Sequence, residues 1–361
     1  MTKLAGRTKA ILRFAALPAA SAAILGLLKV LGILNFRLFG EAFTRGNGAI
    51  WLVVAALLAM IAVALVRYWF ILRLVSFKAR APQVVAAGLI SQAVGQWAPG
   101  SMAVTELIRF GLMAGLGEKS RLALSILIDR LLGLGTMFLV GGCAAFYLHL
   151  RGGILVKYPA LVFSLAVLSI VFGLAVILAP LFTKTSPWRK LSRFLSVKAA
   201  RPPIAANPAH PRNRTARIWG GLSKEAELLN GATARPRRFL IPVALSLVIP
   251  FLNAATLFYA AQAIGHPLPL SVILVAVPFT IVAVFLPLGL AGYGGPQLVA
   301  AGVFGLFNVS SETVVAACLV QNTVVLALTT LLGGLSAGFT LDRLRAAFAA
   351  RKNRLPDRRS P

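Results

Sequence analysis

Apolar runs of about 20 residues, the length that crosses the hydrocarbon core of a bilayer, recur along this chain from Phe14 to Thr340. Lipid cannot satisfy free backbone N–H and C=O groups, so runs of this kind must fold as helices that close their hydrogen bonds within the segment. Composition agrees: 58% of the 361 residues are hydrophobic and mean hydropathy is +0.85, far outside the range of soluble globular domains of this size. The predicted fold class is an all-α polytopic membrane protein.

The formal charge of +28 is concentrated in three places. Lys3, Arg7, Lys9 and Arg13 precede the first run, thirteen basic residues lie between Lys184 and Arg238, and seven lie between Arg343 and Pro361. The positive-inside rule assigns all three regions to the cytoplasmic face of a bacterial-type inner membrane, with both termini inside. Each basic residue near that surface also gains about 1 kcal/mol from anionic lipid. Nucleic acid is the other common partner of so basic a chain, but the charge flanks apolar runs and follows no DNA- or RNA-binding motif, so no nucleic-acid partner is expected. Residues 14–34 resemble a signal peptide at their basic start, yet the apolar stretch is long enough to span, and Lys29 near its outer end can snorkel. They are read as an uncleaved first span.

About six full spans follow from the pattern: 14–34, 50–72, 122–148, 158–182, 239–264 and 312–340. Two further segments are broken. Pro99 and Gly100 interrupt residues 82–117, and Pro287, Gly289, Gly292, Gly294 and Gly295 interrupt residues 270–307. Each arm is short for a full span, so both segments are predicted to be re-entrant helical hairpins. Loop charges place the first hairpin on the inner side and the second on the outer side. Pro99 stands ten residues before Arg109 as Pro287 does before Gln297, and the runs that follow end in Gly141-Gly142 and Gly333-Gly334. This weak internal symmetry, with its inversion, is the pattern of transporters that bind substrate between broken helices near the midplane. The membrane domain is thus 1–340, with a basic cytoplasmic loop at 184–238 carrying a short surface helix near 217–230, and a basic cytoplasmic tail at 341–361.

Glu106, Arg109, Asp129 and Arg130 lie inside apolar runs, where a charge costs at least about 2.5–3.5 kcal/mol and by default faces a partner or a cavity. Glu106 and Arg109 share a helix face, whereas Asp129 and Arg130 point about 100 degrees apart and can serve different partners. Glu106 can pair with Arg130, or Asp129 with Arg109, around a polar cavity in which a guanidinium takes a lipid phosphate bidentately. The same charges could equally tie the first hairpin to the next helix. The glycines from Gly289 to Gly295 either offer backbone N–H groups to an anion or permit a tight turn. Gln92, Gln96, Gln297, Gln321 and Asn322 are candidates for a polar path or for interhelical hydrogen bonds, and Trp51 and Trp97 for interfacial anchors or packing. Cys143 and Cys318 sit far apart in apolar runs and read as packing. His149, His210 and His266 fall in loops without ligand spacing, and no motif of an enzyme active site appears. No metal, no cofactor and no enzymatic activity are expected.

Several of these residues carry a family resemblance. Trp97-Ala98-Pro99-Gly100 followed by Glu106 and Arg109, the stretch Ser125-Ile126-Leu127-Ile128-Asp129-Arg130-Leu131-Leu132-Gly133, and Pro287 with Gly289-Leu290-Ala291-Gly292-Tyr293-Gly294-Gly295 resemble the lysylphosphatidylglycerol synthase transmembrane-region, or flippase-like, family over residues 15–340. The resemblance implies two re-entrant regions in an inner-membrane protein that moves a modified phospholipid between leaflets. The aminoacyl-lipid synthase domain of its best-known members has no counterpart here, so that activity is not carried over. The chain departs from the family pattern at Pro296-Gln297, where an acidic residue often follows the glycines, and at Gln321-Asn322, where an arginine could match Arg130. Both departures remove charge from the second half. The expected function is translocation of an anionic, modified or isoprenoid-type lipid. The alternative is a non-transporting partner of an envelope-lipid or glycolipid biosynthesis enzyme.

Overall fold

The computed structural model of the chain describes residues 40, 42–44, 48–98, 100–151, 158–178, 236–285, 289–290 and 293–352. The expected first span, the loop 184–235 with its surface helix, Pro99, Pro287, Gly292 and the last nine residues lie outside them. The described chain is helical: α1 (Ala49–Leu74), α2 (Ala81–Gln96), α3 (Ser101–Met113), α4 (Lys119–Leu150), α5 (Pro159–Leu178), α6 (Pro236–Ala263), α7 (Leu270–Phe285), α8 (Gly295–Gly305) and α9 (Ser311–Lys352). Five of these, α1, α4, α5, α6 and α9, are long and apolar enough to cross a membrane. α9 runs through the boundary expected at 340, because the stretch after Gly338 is rich in the good helix formers Ala, Leu and Arg and contains no Gly or Pro.

The two broken segments are pairs of short helices, α2–α3 and α7–α8. Gly100 sits at φ 61° immediately before α3, a left-handed conformation that glycine adopts freely, and so turns the chain. The arms then close on each other at Gly95, where a Cβ would collide with the side chain of Thr105. Between α7 and α8 the chain forms a feature that helical periodicity does not announce. β1 (Gly289–Leu290) and β2 (Tyr293–Gly294) pair antiparallel in a two-residue ribbon, Gly289 opposite Gly294 and Leu290 opposite Tyr293. Gly294, at φ 111°, leads from the ribbon into α8.

Each broken pair packs on the long helix of the other half. α2 lies along α9, where Gly333 admits Ala93 and brings the Leu89 carbonyl oxygen within 2.7 Å of where a Cβ would stand. α7 lies along α4, where Gly141 admits Pro278 Cγ at 2.8 Å and the Leu274 carbonyl oxygen at 3.0 Å from the same notional position. α1 and α6 pack together. In lipid such contacts rest on close backbone approach rather than on hydrophobic driving force, which is why small residues mark them. The main buried cluster draws on α1, α6, α7, α8 and α9, and includes Leu57, Ile273 and Phe304. A smaller one joins Tyr68, Leu72, Met113, Leu122 and Phe239.

Candidate functional site

α1, α3 and α4 converge on five buried or half-buried charges. Asp129, on α4, accepts from Arg67 Nε on α1 at 2.9 Å through Oδ1, which also lies 2.8 Å from Arg67 Nη2. Its other oxygen, Oδ2, is 3.7 Å from Arg109 Nη1 on α3. Glu106, one turn before Arg109 on α3, has Oε2 3.3 Å from the same Nη1. Glu106 Oε1 accepts from Arg130 Nη2 on α4. Both pairings predicted for the four charges therefore occur together, with Glu106–Arg109 and Arg67–Asp129 as two more. The Arg109 guanidinium lies over the Tyr68 ring, 4.7 Å from its centre, and the Tyr68 hydroxyl shares a hydrogen bond with Ser125 Oγ at 3.3 Å. Arg67 also reaches Ser246 Oγ on α6 at 3.4 Å.

These three guanidiniums meet two carboxylates, leaving one net positive charge at the cluster. Arg67, Arg109, Asp129 and Arg130 line a cavity of about 320 Å³, near the lower end of the ~300–1,000 Å³ that small-molecule sites occupy. Arg109 Nε, Arg130 Nε, Glu106 Oε2 and Gln92 Oε1 are buried without a hydrogen-bond partner among the described residues. Each such atom costs about 1–3 kcal/mol, more where the group is charged. The cluster is thus ion-paired yet not saturated, with its spare guanidinium donors on residues that line the cavity.

Apolar side chains of α1, α4 and α7 and a set of side-chain amides complete that cavity. Gln92, Gln96, Asn253, Gln321 and Asn322 line it, and all but Gln92 also line an adjoining cavity of about 130 Å³. Gln321 Nε2 donates to Thr256 Oγ1 at 2.5 Å and to Asn253 Oδ1 at 3.4 Å on α6. Gln321 occupies in α9 the position that Asp129 occupies in α4, counted from the helix start. Their partners lie on α6 and α1, the long helices that precede the two broken pairs.

Of the residues expected to carry the site, Glu106, Arg109, Asp129 and Arg130 come together, and Gln96, Gln321 and Asn322 line the cavity with the last three. Gln297 is placed elsewhere. It is fully buried, and its Oε1 accepts the Gly294 N–H at 2.7 Å, closing the first turn of α8. That bond also engages the backbone N–H of one of the glycines considered for anion contact. Trp97 Nε1 donates to Thr330 Oγ1 at 3.0 Å across the α2–α9 contact, while Trp51 is 75% exposed on α1. Arg67 and Asn253 are the residues that sequence reasoning passed over. Arg67 lies close enough to Arg73 to pass as part of the basic end of its span. Its distinguishing mark is depth: it sits well over a helical turn inside the run, too deep to be merely flanking. Among the described residues no cluster of three or more His, Cys, Asp or Glu side chains could hold a metal ion.

A bundle of apolar spanning helices, with two broken helix pairs around an ion-paired interior cavity, defines a polytopic helical membrane protein. The sequence profile of the lysylphosphatidylglycerol synthase TM region matches residues 11–333, and the chain belongs to that family. No curated protein and no solved structure matches the chain.

Proposed function

We propose that this protein is a lipid translocator that takes an anionic head group into the cavity between its two broken helix pairs and carries it between leaflets, the acyl or prenyl chains remaining in the bilayer. The observation that carries this reading is the unsaturated, net-positive cluster. Buried charge inside apolar helices is expensive, and three arginines held by only two carboxylates gain most from an anion that completes the set. The guanidiniums of Arg109 and Arg130 line the cavity and suit a phosphate oxygen.

The packing supports an alternating mechanism. α2 rests on α9 at Gly333 and α7 rests on α4 at Gly141, so each broken pair is carried by the other half. We infer from this reciprocity, and from the basic loops, that the halves form an inverted repeat with both termini on the cytoplasmic side of the inner membrane. Rocking one pair against the other then exposes the cavity to each leaflet in turn. With no enzymatic motif in the chain, we read the protein as a carrier that leaves the lipid's covalent structure unchanged.

Reconstitution of the full chain in liposomes tests the reading. Fluorescent phospholipids in the inner leaflet are protected from external dithionite until they cross. Faster loss of that protection than in protein-free liposomes is expected, together with slowing by Arg109→Gln and Arg130→Gln. Exchange no faster than in protein-free liposomes for any anionic, modified or prenyl lipid leaves the cavity a holding site and refutes translocation.

A further inference from the structure

The cavity has two chemically different parts: charged groups from α1, α3 and α4, and amides from α6 and α9 joined by Gln96 of α2. At one end Asp129 binds Arg67 through charge; at the other Gln321, in the corresponding position of α9, binds Asn253 through a neutral amide contact. The smaller cavity adjoining the amide end is lined by Gln96, Ser101, Asn253, Thr280, Gln321 and Asn322 among apolar groups, and among the described residues no lining side chain is charged. An amide presents both donors and an acceptor, and a hydroxyl both gives and accepts, so a cluster of amides pairs naturally with a hydroxylated group. It offers nothing to neutralise an ammonium. The net positive cluster next to it makes a cationic substituent costlier still.

We propose that the site selects a phospholipid by both parts of its head group: a singly charged phosphodiester at Arg109 and Arg130, and an uncharged hydroxyl-bearing substituent, a glycerol or a sugar alcohol, among Gln96, Asn253, Gln321 and Asn322. The charge balance sets the first requirement, since one negative charge neutralises the cluster. The amide end sets the second. The inference rests on the head-group site of the translocator reading but concerns binding, which can be measured without transport.

The test is calorimetric titration of the full chain in detergent with dioctanoyl lipids. Phosphatidylglycerol and phosphatidylinositol carry a phosphodiester with a polyol. Phosphatidylethanol carries the same charge and no hydroxyl, phosphatidylcholine carries an ammonium, and a glucosyl diacylglycerol carries hydroxyls without phosphate. Binding of phosphatidylglycerol or phosphatidylinositol about tenfold tighter than phosphatidylethanol is expected, the contribution of one or two hydrogen bonds, with phosphatidylcholine and the glycolipid weaker than either polyol phosphodiester. Preference for phosphatidylglycerol alone assigns the glycerol, and preference for phosphatidylinositol alone the cyclic polyol. Gln321→Leu, and independently Asn322→Leu, should lower the polyol lipids to the affinity of phosphatidylethanol. Equal affinity for phosphatidylglycerol, phosphatidylinositol and phosphatidylethanol overturns the inference, as does tighter binding of phosphatidylcholine. So does a polyol preference undiminished in both leucine variants. Leaflet exchange measured on the same preparation separates the two readings: exchange without this discrimination removes the head-group assignment alone, and discrimination without exchange removes translocation alone.

Discussion

Arg67 Nε stands 2.9 Å from Asp129 Oδ1, whereas the nearest approach of Arg109 to the same carboxylate is 3.7 Å, at Oδ2. One oxygen of Asp129 is committed to joining α1 to α4, and the other faces the arginine of the broken helix pair. Asp129 thus ties α4 tightly to α1 and more loosely to the first broken pair, through different atoms of one side chain.

Arg67→Met should then act on the fold. It leaves Asp129 buried with only the looser Arg109 contact, and removing one partner of a buried pair costs about 3–5 kcal/mol. Thermal unfolding in detergent should shift strongly downward. Arg67→Met combined with Asp129→Leu, which removes both charges, should recover much of the loss. A double variant no more stable than the single one would place the cost elsewhere than in the unpaired carboxylate.

Gly141→Val and Gly333→Val should each separate a broken helix pair from its supporting helix. Backbone oxygens of Leu274 and Leu89 stand at 3.0 and 2.7 Å from the notional Cβ positions, and a backbone cannot swing aside as a side chain can. Overpacking of this kind costs about 1–3 kcal/mol. Gly338→Val, with nothing within 4 Å, is the control and should melt near the parent temperature. Equivalent losses at Gly141 and Gly333, read by unfolding in detergent, are expected from equivalent joints.

The helices and their breaks were legible in the sequence because lipid imposes a strong rule: long apolar runs become helices, and prolines and glycines at depth mark where they stop. The charged set Glu106, Arg109, Asp129 and Arg130 was legible for the same reason, since charge in an apolar run must be accounted for. Arg67 was hidden by its nearness to a basic span end, where an arginine looks like an ordinary topology signal. Asn253 was hidden because a lone neutral amide in an apolar helix carries little cost and gives no sign of its partner. Gln297 shows the converse. Its place in the chain matched that of Arg109, but the tight Gly294 turn leaves an N–H that a glutamine three residues on can cap, so local geometry determines where it points.

The inverted arrangement proposed for the two broken pairs predicts opposite access to their turns. With Cys143 and Cys318 replaced by serine, Ala98→Cys and Leu298→Cys should react with an impermeant maleimide from opposite sides of sealed vesicles, Ala98→Cys from the cytoplasmic face. Labelling of both from one face would remove the inverted arrangement, and alternating access between its halves with it.

Glu106 sets the charge balance of the site, because it faces both Arg109 and Arg130. Glu106→Gln keeps an acceptor oxygen for Arg130 and deletes one negative charge, moving the cluster from one net positive charge to two. A phosphomonoester carries roughly −1.5 to −2 at pH 7 and should gain from that change more than a phosphodiester does. A unit charge pair at contact distance in a hydrated cavity is worth on the order of 1 kcal/mol and the two lipids differ by about half to one charge, so the affinity ratio of dioctanoyl phosphatidic acid to phosphatidylglycerol should rise about two- to fivefold in the variant. The rise should shrink as salt is added, since screening weakens exposed charge. An unchanged ratio at low salt would mean that Glu106 only fixes the arginines in place and that head-group charge is matched by other groups.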